Sequence, residues 1–127
     1  MMPIWMQVSV VAMGGAFGAS LRFLVTRWVS QSLVWGHFPL ATFIVNVAGC
    51  FAFGLLFMVI SQRFAMDATL RLSILVGFLG AFTTFSTFSF ETVRLLQGGH
   101  FVMAFSYVFG SALACVTATW LGVQLFR

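Results

Sequence analysis

The stretch GFLGAFTTFSTFSFE, Gly77 to Glu91, decides how this chain folds. It lies in the third of four long apolar runs. Five hydroxyls, on Thr83, Thr84, Ser86, Thr87 and Ser89, are interleaved with the rings of Phe82, Phe85, Phe88 and Phe90. Hydroxyls gain nothing from lipid, and so many bare rings gain nothing from water.

As a continuous helix this stretch is poor. Threonine is β-branched, and serine competes for backbone hydrogen bonds. The unit Thr-Phe-Ser occurs twice in succession from Thr84, a period of three that drifts around a helix of 3.6 residues per turn. Gly77 and Gly80 loosen the chain upstream. The pattern predicts a helix interrupted between about Gly80 and Thr84, which resumes through Glu91 and ends at Gly98-Gly99.

A break at membrane depth is tolerated only where it is buried in protein or lines a cavity. It frees carbonyls, which suit a hard cation. It also leaves a half-helix N-terminus whose unpaired N–H groups favour an anion. Phenylalanine edges are electropositive, and Phe85 and Phe88, three apart, can present edges along one path. The competing reading has the rings facing lipid and the hydroxyls bonding locally. Glu91 then caps, pairs with Arg94 at i+3, or sits at the mouth of the path.

Composition sets the class. The chain has 127 residues, 61% hydrophobic and 6% charged, against about a quarter charged in soluble domains. It reads as one all-α membrane domain, 1–127. The uncharged runs are Ile4 to Leu21, Pro39 to Gln62, Leu72 to Phe90 and Phe101 to Phe126. Each approaches the roughly 20 helical residues that cross a bilayer core. Helices are expected at about 4–30, 39–62, 71–97 and 101–126. The N-terminus lacks a basic region before Ile4 and runs into Arg22, so it reads as the first span rather than a signal peptide.

All positive charge is arginine, and net charge is +4. The arginines are scattered, which excludes a nucleic-acid patch. With four spans, both termini and the second loop share one side, with Arg63, Arg71 and Arg127. The other side has Arg27 and Arg94, and Arg22 near the end of span one. Loop charge therefore gives nearly no orientation vote. Either a weak bias fixes one orientation, or the chain inserts both ways and opposite copies pair. Gly14 and Gly18 carry the spacing of close helix packing in lipid.

A few polar groups lie at membrane depth. Arg22 either snorkels to the headgroups or faces a water-filled vestibule and attracts anions. Asn46 is either interhelical glue or a donor on a polar pathway. Tyr107, Ser111 and Cys115, spaced four apart, share one helical stripe. Spans one, two and four hold no acid or histidine, and Glu91 is the only acid near a membrane core. A proton-coupled cation or drug exporter of this size needs an embedded carboxylate, so that alternative ranks second. His37 and His100 have no neighbouring ligands in the sequence for a metal. No nucleophile–base pair points to an enzyme.

These residues resemble a known family. GFLGAFTTFSTFSFE, with PLATFIVNVAG (Pro39 to Gly49) and GGAFGASLRF (Gly14 to Phe23), is similar to the Fluc/CrcB fluoride channels along essentially the whole chain. The resemblance implies a passive fluoride channel in the cytoplasmic (inner) membrane that lowers fluoride toxicity. It implies an antiparallel, dual-topology homodimer with two pores. It places Phe85 and Phe88 on the fluoride path and makes Asn46 a pore donor. Thr87, Tyr107 and Ser111 then lie along a polar track, Glu91 near its outer end and Arg22 in a vestibule. Carbonyls of Gly80 and Thr83 are implied ligands of a central structural Na+ shared by both subunits. Cys115 stands where some relatives have serine, and Ala81-Phe82 where a glycine and a smaller aliphatic residue are common.

Overall fold

The computed structural model describes residues 2–127. They form helices and turns, with no strand among the described residues. The chain runs through α1 (Ile4–Ser32), α2 (Leu40–Arg63), α3 (Ala68–Leu70), a π-helical segment (Arg71–Leu79), α4 (Gly80–Phe82), α5 (Phe85–Gln97) and α6 (Phe101–Leu125). Four spans are long and apolar enough to cross a membrane, the third running from Ala68 to Gln97.

The third span is bent where the Thr-Phe-Ser repeat begins. Thr83 (ψ 156°) and Thr84 (φ −148°, ψ 121°) are extended, so the helix stops after Phe82 and restarts at Phe85. Thr84 caps the new helix, its hydroxyl accepting from the Thr87 N–H at 3.3 Å. The far end closes at the glycine pair. Gly99 is left-handed (φ +78°), and the His100 N–H folds back to the Leu95 carbonyl at 2.9 Å.

Upstream of the break, the third span lies against α1 with backbone nearly touching backbone. A Cβ at Gly14 would collide with the Ser73 carbonyl, and one at Gly18 with the Phe78 carbonyl. The small-residue face of α1 is thus used inside the subunit, against the π-helical segment.

Two buried clusters flank the break. Ile60, Leu75 and Leu79 pack before it, and Leu95, Ala104 and Tyr107 after it. Many large apolar side chains face outward, among them Phe17, Phe85 and Val116. On a chain meant for lipid such exposure is expected, since lipid is as apolar as the core.

Candidate functional site

The break is held open by Asn46 on α2. Its Nδ2 donates to the Thr84 carbonyl at 2.9 Å, and its Oδ1 accepts from the Thr84 N–H at 2.8 Å. In an unbroken helix that N–H would serve the Gly80 carbonyl four residues earlier. One amide side chain therefore replaces the lost helical bonds at Thr84 and leaves carbonyl capacity at the turn. One N–H of Asn46 Nδ2 remains beyond this clamp.

Around the clamp lies a cavity of about 300 Å³, walled by Asn46, Thr83, Thr84, Phe85, Phe88 and Ser111. The Phe85 and Phe88 rings stand 5.5 Å apart at 42°. Phe88 is in turn 4.9 Å from the Tyr107 ring. Ser111 is 6% exposed, and its Oγ has no hydrogen-bond partner among the described residues. A buried hydroxyl left this way costs about 1–3 kcal/mol. Serine in a membrane helix ordinarily relieves that cost by bonding a carbonyl one turn back. Cys50 and Cys115 line the same cavity as free thiols.

Glu91 sits one turn beyond Thr87 on α5. One carboxylate oxygen accepts from Tyr107 Oη at 2.8 Å, the other from Thr42 Oγ1 at 2.6 Å. Tyr107 is fully buried and Thr42 is 4% exposed. Of the roles open to Glu91, pairing with Arg94 is not the one adopted. The Arg94 guanidinium lies over the Phe90 ring, 6.0 Å from its centre.

Arg22 and Thr87 line a further cavity of about 250 Å³ with Thr26, Thr42 and Thr84. A third, of about 210 Å³, shares Thr26 and Thr42 with it and reaches Glu91. Shared wall residues set the chambers side by side: Thr84 lies between the Phe85–Phe88 chamber and the Arg22 chamber, and Thr42 between that one and the chamber that reaches Glu91. Thr42 and Thr26 were missed by sequence reasoning. A signal was present: Thr42 precedes Asn46 by four residues, and Thr26 follows Arg22 by four, so each shares a helical stripe with its neighbour.

The predicted residues do not all meet at one point. Asn46, Phe85, Phe88, Ser111 and Thr83 share one chamber, while Arg22 and Thr87 lie in the next. Tyr107 and Glu91 form the hydrogen-bonded pair further along. Gly80 lines none of these chambers and is exposed, a Cβ there meeting only the Leu75 carbonyl at 3.9 Å. The oxygen donors at Gly80 and Thr83 are of the kind Na+ takes, and the diversion of the Thr84 N–H to Asn46 suits that donor set.

Fold and site together define a four-span helical membrane protein built around a broken third span, with adjoining polar and aromatic chambers beside the break. Residues 9–123 match the family model described as CrcB-like protein, Camphor Resistance (CrcB). A protein of Stutzerimonas stutzeri named "Fluoride-specific ion channel FluC" is 45% identical over 118 residues, covering 92% of this chain and 94% of its own length. Proteins of the same name from Magnetococcus marinus and Geobacter sp. are 42% and 43% identical, covering 96% and 95% of this chain and 98% and 97% of their own lengths. The chain belongs to the CrcB-like family.

Proposed function

We propose that this chain is the subunit of a fluoride-selective channel that lets fluoride leave the cytoplasm passively and so lowers its toxicity. The kinship with proteins named for that activity supports this reading. The single observation that carries it is the Ser111 hydroxyl, buried without a partner among the described residues in a chamber walled by Phe85 and Phe88.

Fluoride is small and strongly hydrated, so a pore must replace its water with donors. The Ser111 O–H, the remaining Asn46 N–H and the edges of Phe85 and Phe88 supply such donors in one place. The free N–H groups at the start of α5 add a favourable dipole. Further on, Thr87 and Arg22 continue the donor set, and the Thr42–Glu91–Tyr107 group stands at the outer end. Larger anions are disfavoured because the rings narrow the route and offer no full charge.

The functional unit in this reading is an antiparallel, dual-topology homodimer in the cytoplasmic membrane, with two pores. Phe85 is 78% exposed, which fits a ring that completes the pore across the subunit boundary. The near-balance of arginines fits insertion in both orientations. Gly80 and Thr83 carbonyls would hold a Na+ at the centre of the dimer, where its charge offsets the carbonyl dipoles of the break. The proton-coupled exporter is disfavoured, because the one embedded acid, Glu91, is already held by two hydroxyls.

The test is release of fluoride and chloride from liposomes holding the purified protein, followed with ion-selective electrodes. Rapid fluoride loss with chloride retained is expected. Retention of both ions by folded, dimeric protein would overturn the reading.

A further inference from the structure

The stripes that α2 and α6 turn toward each other run in step. Thr42 and Tyr107 meet at Glu91. Asn46 and Ser111, one turn on, wall the Phe85–Phe88 chamber, and Cys50 and Cys115, a further turn on, face that same chamber. Backbone packing sets this last pair. A Cβ at Gly54 would collide with the Thr119 carbonyl, and one at Gly122 with the Phe51 carbonyl, so the two helices touch backbone to backbone just beyond the cysteines. Thr119 fastens them, its hydroxyl shared between the Cys115 carbonyl at 3.1 Å and the Cys50 carbonyl at 3.2 Å. Both cysteines are free and half-buried, and their thiols interact directly. The fluoride route proposed above uses neither thiol.

We propose that Cys50 and Cys115 form a dithiol site for trivalent arsenic, one arsenic atom bridging the two sulfurs of a single chain. Sulfur is soft and polarisable and prefers soft partners. No third histidine, cysteine or acid joins the pair in a cluster among the described residues, so an ion that needs three or four protein ligands does not fit. An organoarsenic oxide needs only two, because its remaining arsenic bond is to its own carbon. In the step, two S–H bonds and the arsenic–oxygen double bond break, and two arsenic–sulfur bonds form. The oxygen leaves as water with both thiol protons. Arsenic stays trivalent, so no oxidant or reductant takes part. The adduct is uncharged, which suits surroundings where an unpaired charge is costly. Phe85, Phe88 and Ala112 wall the chamber of about 300 Å³, and its rings can pack against an aryl group on the arsenic. Once the first bond has formed, the second thiol attacks within the same molecule, so a single external thiol competes poorly with it.

Binding is read without flux and stands independently of the channel reading. Purified protein in detergent, kept reduced with a phosphine, is treated with phenylarsine oxide and weighed intact. One phenylarsenic group per chain, gained with loss of one water, is expected. It should resist a monothiol and be removed by a dithiol. Cys50→Ser and Cys115→Ser should each release the group to the monothiol roughly 100-fold faster. A variant that loses its fold is bypassed in the unaltered chain, which has only two cysteines. The arsenical should shield both from a maleimide, and the dithiol should expose both again. Two groups per chain, chains joined to one another, a group that the monothiol removes at once, or folded single-cysteine variants that hold it as firmly would each overturn the site. The consequence for transport rests on the channel reading: the bridged aryl group fills the chamber, so treated liposomes should retain fluoride until the dithiol is added. Untreated liposomes that retain fluoride would count against the channel reading alone and leave the dithiol site standing.

Discussion

Tyr107 donates its hydroxyl to Glu91 across the α5–α6 interface at 2.8 Å. With Thr42 on the other oxygen at 2.6 Å, the carboxylate is fixed from two helices at once. A hydrogen bond contributes about 0.5–1.5 kcal/mol, and a buried polar group left without its partner costs about 1–3 kcal/mol. Tyr107→Phe keeps the ring that packs on Phe88 and Phe38 but releases Glu91. The variant is expected to lose about 1–3 kcal/mol of stability and to slow fluoride release at least tenfold. Thr42→Val should act in the same direction. Thermal melts in detergent and electrode-monitored efflux check both.

Ser111 separates a structural role from a functional one. Its hydroxyl is buried and serves no partner among the described residues. Ser111→Ala removes a polar group that costs the fold about 1–3 kcal/mol. Stability should therefore hold or rise while fluoride flux falls roughly tenfold, the loss of one donor of about 1.4 kcal/mol. A variant with unchanged flux would assign Ser111 to packing alone.

Much of this arrangement was legible in the sequence, for local reasons. The glycines and hydroxyl residues before Phe85 placed the break, which falls at Thr83 and Thr84 within the expected window, whereas the Thr-Phe-Ser repeat itself is helical from Phe85 onward. The stripe of Tyr107 and Ser111 meets the third span because spacing by four fixes one face of α6. The π-helical segment was not legible. It rests on close backbone approach to α1 at Gly14 and Gly18, a tertiary matter. Glu91 shows the same limit. Spacing offers it Arg94 one turn away, but two buried hydroxyls from distant segments hold it instead. His37 and His100 stack only because two turns meet at one end of the bundle.

Asn46 should behave as a clamp as well as a donor. Its amide makes two bonds to the Thr84 backbone, at 2.9 and 2.8 Å. Asn46→Leu leaves the half-buried carbonyl and N–H of Thr84 without their partners and is expected to cost about 1–3 kcal/mol. Asn46→Asp keeps the acceptor for the Thr84 N–H but sets a negative oxygen against the Thr84 carbonyl. It should lie between the two in melting temperature and conduct no fluoride, since negative charge then faces the anion. Equal melting temperatures for wild type and Asn46→Leu would remove the clamp.

The last prediction concerns the pairing of subunits. Gly80 is exposed beside the break, with nothing within 4 Å of a Cβ added there except the Leu75 carbonyl at 3.9 Å. A site near a two-fold axis meets its own copy, because the interface of a symmetric dimer is self-complementary. If the break lies at the centre of an antiparallel dimer, Gly80→Cys in a background of Cys50→Ala and Cys115→Ala should cross-link to its own copy under mild oxidation. The product is a dimer on a non-reducing gel that reductant reverses. Cysteine at Val102, 82% exposed but near the start of α6, serves as the control. In an antiparallel pair the two Val102 positions lie toward opposite membrane faces, so that control should stay monomeric. A parallel dimer would bring like ends to the same face and allow the Val102 control to cross-link as well. Absence of cross-linking at Gly80 in membranes that still conduct fluoride would move the interface away from the break, and with it the shared cation site.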